Sequence, residues 1–205
     1  MAIAEQQHWD EVYNTKAEDE VSWFQPYPKT SMAFVELFKL PLHANIIDTG
    51  GGDSHFVDAL IEKGYQNIWV LDISANAIER AKIRLGANAS KVNWIVSDVT
   101  AFTPTVLFDF WHDRAAFHFL TTEDKIYKYI SIAEAAIKKD GYLILGTFSE
   151  NGPETCSGLA VKQYSETSMS ARFEVAFDRI KCVTEDHRTP FNTVQNFLFC
   201  SFKKQ

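Results

Sequence analysis

A chain of 205 residues can bury one sizeable core, and a hydrophobic content of 46% is ordinary for a globular protein. The net charge of −7, with Lys and Arg scattered along the chain, excludes the basic stripe of a polyanion binder, so nucleic acid is not an expected partner. The three cysteines, Cys156, Cys182 and Cys200, match neither a metal cluster nor a disulfide framework, and no stretch reaches membrane-span length. The expectation is therefore a soluble, cytoplasmic, monomeric protein in a reducing compartment, with no metal and no membrane partner.

No repeat or linker divides the chain. Residues 1–43 read as an arm and helix that cover a ligand site, and residues 44–205 as the ligand-binding domain, the two forming one structural domain. In the arm, Thr30 to Leu40 has helical spacing with Phe34, Leu37 and Phe38 inward. The first strand is Asn45-Ile46-Ile47-Asp48, and it runs into Thr49-Gly50-Gly51-Gly52. A helix follows with Phe56, Val57, Leu60 and Ile61 on its apolar face, stopped by Gly64.

The second strand, Ile68 to Asp72, precedes a helix from Ala75 to Leu85 that ends at Gly86. The third strand, Val92 to Val96, runs towards Asp98, and the fourth is Phe108 to His112. A helix over about Asp124 to Lys138 leads through Asp140-Gly141 into a fifth strand, Tyr142 to Thr147. The rhythm then changes. Residues Phe148 to Phe177 read as a long polar insertion, and Arg179–Glu185 with Asn196–Phe202 as an antiparallel hairpin. Repeated β-α units imply a doubly wound α/β sheet, mostly parallel, closed by a C-terminal antiparallel hairpin.

In an open α/β sheet, ligands bind beyond the carboxyl ends of the strands. Those ends carry Asp48 with the glycines, Asp72, Asp98-Val99 and His112-Asp113-Arg114. The glycines let the backbone turn sharply and approach a ligand. A dinucleotide fingerprint starting at Gly50 would need a small residue where His55 stands. Asp53 would also oppose a pyrophosphate, although it suits a helix N-cap. A nicotinamide-dependent oxidoreductase is therefore the second choice. An acidic group at Asp48 suits a ligand with an ammonium group and one carboxylate, such as S-adenosylmethionine. Asp72, 24 positions beyond Asp48, is placed to accept both ribose hydroxyls, with Ile73 over the adenine. Asp98 is placed to accept the adenine amine.

Taken together, Asp48-x-Gly50-x-Gly52, Asp72 and Ser97-Asp98-Val99 resemble the class I S-adenosylmethionine-dependent methyltransferases, whose Rossmann-like sheet has seven strands. The resemblance implies Asp48 and Gly50 at the methionine moiety, Asp72 at the ribose, and Asp98 and Val99 at the adenine. It leaves position 51 free, so Gly51 is expected to tolerate a side chain better than Gly50. His8-Trp9-Asp10-x-x-Tyr13 and Glu20 to Gln25 resemble the N-terminal segment of small members of that superfamily, among them a branch of lysine methyltransferases. Trp9, Tyr13 and Trp23 are then expected to form an aromatic lid. Asp113-Arg114-Ala115 resembles their D-[KR]-G signature, with Ala115 in place of the glycine.

Methyl transfer from a sulfonium needs alignment above all, and a base only for a protonated nucleophile. The candidate bases are Asp113, which is also expected at the methionine end, and His118, with His112 turned into the sheet. Phe148, Glu154 and Cys156 in the insertion are candidate substrate contacts. A small-molecule acceptor is expected ahead of a macromolecule, with a protein lysine as the main alternative and an inactive cofactor-binding partner subunit as the non-enzymatic one.

Overall fold

The computed structural model describes residues 2–205, with side chains from Ala4 onward. Seven strands form the main sheet: β1 (Asn45–Thr49), β2 (Asn67–Asp72), β3 (Val92–Val96), β4 (Phe108–Arg114), β5 (Ile137–Phe148), β8 (Phe177–Arg188) and β9 (Val194–Lys204). Their order is β3-β2-β1-β4-β5-β9-β8. The first five are parallel, and β9 runs antiparallel to both β5 and β8. A two-stranded hairpin, β6 (Thr155–Cys156) with β7 (Leu159–Ala160), lies in the segment after β5. The helices are α1 (Ala2–Thr15), α2 (Lys29–Phe38), α3 (Phe56–Glu62), α4 (Ala75–Leu85), α5 (Glu123–Ala136) and α6 (Glu166–Phe173).

The chain leaves β1 in one direction to β2 and β3, and returns to the other side for β4 and β5. This reversal opens a crevice between the carboxyl ends of β1 and β4, where Thr49 lies opposite Asp113. Helices cover both faces. Phe56, Val57 and Leu60 of α3, with Met32, Phe34 and Val35 of α2, pack one side against Ile46, Ile68 and Phe110. Ile126, Tyr129 and Ala133 of α5, with Met169 and Phe173 of α6, pack the other against Trp111, Leu143 and Leu145. Most of the Phe residues are spent on these two layers.

Local signals set the boundaries. Ser74 caps α4 by accepting the Ala77 N–H at 3.1 Å, and Gly86 ends the helix with φ +54°. Gly64 (φ +89°) lets the chain turn after α3. In α2 the inward residues are Ser31, Met32, Phe34 and Val35, while Leu37 points outward and is 47% exposed. Phe34 and Phe38 face inward as expected, and the inward Leu37 is corrected: the buried stripe runs through residues 31, 34, 35 and 38, which leaves 37 on the outer edge. The long polar insertion contains α6, whose capping box pairs Ser165 with Ser168.

The cysteine expectation is also corrected. The register of β8 and β9 sets Cys182 directly opposite Cys200, and the two form a disulfide with Cα atoms 4.1 Å apart. A pairing created by hairpin register leaves no spacing signature in the chain. Cys156 is the free thiol.

Candidate cofactor and active site

A cleft of about 320 Å³ opens at the crevice between β1 and β4. Its lining includes Gly50, Asp72, Ile73, Asp98 and Val99 from the first half of the sheet, and Arg114, Ala115 and Ala116 from the end of β4. Trp9, Tyr13 and Trp23 close it from the arm, and Cys156, Leu159 and Ala160 from the small hairpin. Within the arm, Trp9 meets Trp23 edge-on at 5.8 Å and Phe119 at 5.0 Å. Asp10 ties α1 to the N-terminus of α4: its Oδ1 accepts from Ser74 Oγ at 2.7 Å and from the Asn76 N–H at 3.3 Å. Arg80 adds bonds to the carbonyls of Tyr13 and Lys16.

The glycine turn is built for close approach. Gly50 has φ +66°, and a Cβ there would lie 2.3 Å from the Ala116 Cβ. Gly51 has no left-handed φ, so it lacks the backbone demand of Gly50, but it is not open space either: a Cβ on it would come within 2.5 Å of Asp48 Oδ2. Gly52 does not line the cleft; a Cβ on it would press on Asp72 Oδ2 at 2.8 Å, and its role is to leave room for that carboxylate. Asp53 does not cap α3. It pairs with Arg80 at 2.8 Å and with Arg84, while Ser54 Oγ takes the Phe56 N–H.

Three strand-end carboxylates place their hydrogen bonds to the protein on one oxygen. Asp72 Oδ1 accepts the Ser74 N–H at 2.8 Å. Asp98 Oδ1 takes both the N–H and the hydroxyl of Thr100 at 2.8 Å. Asp48 Oδ1 contacts His112 Nδ1 at 2.7 Å, and its Oδ2 is buried without a partner. His112 is inside the sheet layer as expected. It stacks on Phe56, and its Nε2 meets Ser31 Oγ at 2.8 Å. Burial raises the Asp72 carboxyl to about 7, with the Ser74 N–H pulling the other way.

Asp113 differs from these. Its Oδ1 accepts the N–H groups of Ala116 and Phe117, and its Oδ2 accepts from Tyr129 at 2.8 Å and Thr49 at 3.3 Å. The residue is fully buried and does not line the cleft. With both oxygens engaged, it has no lone pair directed at a ligand, which corrects the expected base and methionine-end roles. Its task is to shape the turn after β4. His118 is likewise sealed inside, between Phe119 and Phe148. Its Nδ1 takes the Phe148 N–H at 3.2 Å, and burial lowers its pKa to about 3, so it stays neutral and away from the cleft. Phe148 is core, packed on Phe197, and Glu154 is exposed outside the cleft; neither has the expected substrate position. Cys156 does line the cleft, and burial raises its thiol to about 11.

Two cleft residues had no assigned role in the sequence reading of the site. Ala115 stands at φ +65°, the left-handed region that favours glycine, which accounts for the glycine of the signature it departs from. Arg114, named there only among the strand-end residues and in that signature, lines the cleft.

The family model described as a methyltransferase domain matches residues 42–193. This chain belongs to the class I S-adenosylmethionine-dependent methyltransferases. The cofactor of this methyltransferase is accordingly S-adenosylmethionine. Among curated relatives, EEF1A lysine methyltransferase 2 of Mus musculus is 31% identical over 110 residues, covering 47% of this chain and 43% of that protein. The chain thus spans less than half the length of that relative. Among solved structures, the N-methyltransferase NodS of Bradyrhizobium japonicum, bound to S-adenosylhomocysteine, is similar at a TM-score of 0.71 and 18% identity, covering 95% of this chain and 97% of that one. The 1,6-didemethyltoxoflavin-N1-methyltransferase of Burkholderia thailandensis is similar at 0.68 and 15%, covering 99% and 85%. Among the described residues, no helix is long and apolar enough to cross a membrane.

The residues present fit this cofactor. Asp48 lines a recess beside the cleft, not the cleft itself, and its partnerless Oδ2 offers an acceptor to an ammonium group there, while the unengaged sides of Asp72 and Asp98 offer acceptors to hydroxyl and amine donors in the cleft. Ile73 and Val99 supply apolar surface between those two carboxylates.

Proposed function

We propose that this methyltransferase alkylates a small-molecule nucleophile that enters the cleft ready to react. In this reading Asp72 holds the ribose hydroxyls, Asp98 the adenine amine, Ile73 and Val99 the adenine faces, and Asp48 the methionine ammonium. When bound, S-adenosylmethionine supplies a methyl group already activated on a sulfonium. Trp9, Tyr13 and Trp23 exclude water and offer aromatic faces to that positive charge. Gly50 and Ala116 pack closely enough to fix the floor on which the reacting atoms align.

The observation that carries the reading is the engagement of Asp113 and the burial of His118. The two bases anticipated beside the methyl group do not face the cleft. The chain therefore contributes alignment, and the acceptor brings its own lone pair, as a neutral amine or a ready thiolate does. The roof that α1 and the small hairpin set over the cleft suits a compact acceptor. The partial similarity to a lysine methyltransferase supports a second reading, in which the acceptor is a lysine side chain on a protein.

One experiment separates these readings. Labelled S-adenosylmethionine is incubated with the protein and with lysate divided into metabolite and macromolecular fractions. Label transfer to the metabolite fraction is expected. Transfer confined to the protein fraction supports the lysine reading. Tight cofactor binding with no transfer to either fraction points to the inactive partner-subunit role.

A further inference from the structure

Arg114 stands at the carboxyl end of β4 and lines both the cleft and a smaller recess under the arm, which is bounded by Val21 to Gln25 and by Asp48. Among the described residues it is the only lysine or arginine in either lining. The other charged side chains there are mainly acidic: Glu5, Asp72 and Asp98 in the cleft, and Glu18, Asp48 and Asp53 in the recess. The guanidinium is held on one side only. Its Nη1 donates to the Trp23 carbonyl at 2.9 Å, and its Cζ lies 4.8 Å from the centre of the Phe197 ring. Nε and Nη2 are sealed from solvent and have no hydrogen-bond partner; Glu185, whose Oε1 is taken by Gln25, and Asp48 are the carboxylates that act on the guanidinium, neither within ion-pair distance of it. Burial lowers the group's pKa to about 10, which leaves it charged at neutral pH.

A desolvated cation with two idle donors is costly unless something pairs with it. The two idle nitrogens are also the matched pair. Nε–H and one Nη2–H point the same way along a single edge of the planar group, at the spacing of the two oxygens of a carboxylate. The Trp23 carbonyl and the Phe197 face hold the plane so that this edge stays free.

We propose that Arg114 is a carboxylate receptor, whose Nε/Nη2 edge takes both oxygens of a carboxylate on a molecule bound in the cleft. This inference rests on the methyl-transfer reading, under which two molecules bring such a group: the cofactor, through its methionine end, and an acidic acceptor. If the acceptor is the source, the substrate class narrows to small nucleophiles that carry a carboxylate.

The test compares the full chain with Arg114→Gln and Arg114→Lys. Calorimetry measures S-adenosylhomocysteine, its decarboxylated analogue, and benzoate added to free and to S-adenosylhomocysteine-loaded protein. With the cofactor as source, Arg114→Gln weakens S-adenosylhomocysteine at least 30-fold, Arg114→Lys weakens it less, and the decarboxylated analogue binds all three proteins alike. With the acceptor as source, both cofactor ligands are unaffected, and benzoate binds the loaded wild type saturably but not loaded Arg114→Gln. The proposal is overturned if Arg114→Gln weakens S-adenosylhomocysteine and its decarboxylated analogue equally, or if no ligand distinguishes it from wild type. A wild type that binds no S-adenosylhomocysteine defeats the methyl-transfer reading instead. In that case, loss of benzoate binding to free Arg114→Gln still supports the receptor, and its retention overturns it. Ligand-free Arg114→Gln loses the Trp23 bond and the Phe197 contact but also two idle buried donors, so its melting temperature is expected to stay close to that of wild type. A lower melting temperature with unchanged binding would mark Arg114 as purely structural.

Discussion

The two halves of the sheet treat their strand-end carboxylates differently. At the ends of β1, β2 and β3, Asp48, Asp72 and Asp98 engage one oxygen with the protein and keep the other free of such bonds. At the end of β4, Asp113 engages both. The difference arises in the following turn. After β4 the chain folds at once into a short turn over Phe117–Phe119, whose leading N–H groups fall on the Asp113 carboxylate. After β1 the glycine backbone passes close to Asp48, but none of its N–H groups is directed at the second oxygen. An acidic residue at a strand end is thus a ligand group only when the turn behind it does not consume it.

The largest expected effect lies on the open side. Gly50→Val puts a branched side chain where φ is +66° and a neighbouring Cβ is 2.3 Å away. Binding of S-adenosylhomocysteine should fall by more than about 100-fold, beyond any loss of stability of order 1–2 kcal/mol from the backbone strain. Retained binding would show that the turn has room the geometry denies.

On the closed side the effects should fall on stability. Phe148→Ala removes a buried ring and should cost about 3–5 kcal/mol in denaturant unfolding. If it instead raises KM with unchanged stability, Phe148 is a substrate contact after all. Asp113→Asn keeps the shape but turns acceptors towards the Ala116, Phe117 and Tyr129 donors less favourably. It should cost about 1–3 kcal/mol and leave cofactor affinity of the folded protein within a small factor. A collapse of methyl transfer with intact stability would restore Asp113 as a base.

The smallest effect is a gain. Ala115→Gly relieves the left-handed conformation at φ +65° and should raise stability by about 1 kcal/mol, read as a higher melting temperature. A fall would mean that the Ala115 methyl packing outweighs its backbone strain.

The same contrast explains what could be read from the chain. The alternation of strands and helices, the C-terminal hairpin and the limits of α4 followed from apolar runs, Ser74 and Gly86, because those signals are local. The place of Asp72 and Asp98 in the cleft lining was legible because they end or follow strands at the open edge of the sheet. Asp113 looked equivalent, and its saturation by Tyr129 and Thr49, 16 and 64 positions away, has no sequence signature. Phe148 and His118 were misplaced for the same reason: Phe148 ends β5 beside a polar stretch yet packs with Phe197 and Phe199, and the turn after β4 seals His118 between Phe119 and Phe148, contacts made by residues distant in the chain. The idle edge of Arg114 depends on Trp23 and Phe197, from opposite ends of the chain.

The central claim is that a carboxylate left open by its turn holds the cofactor, and Asp72 tests it most directly. Its carboxyl titrates at about 7 in the ligand-free protein because burial disfavours the charge, whereas ribose hydroxyls need the ionised acceptor. Below that value the folded protein must release a proton to bind, so affinity should fall as pH falls. Calorimetric titration of S-adenosylhomocysteine from pH 5.5 to 8.5 should show wild-type affinity falling about tenfold per unit below pH 7 and level above it. Asp72→Asn should bind at least about 10-fold more weakly at pH 8, with the pH dependence gone. A flat wild-type profile together with an Asp72→Asn variant that binds as tightly as wild type would contradict the account.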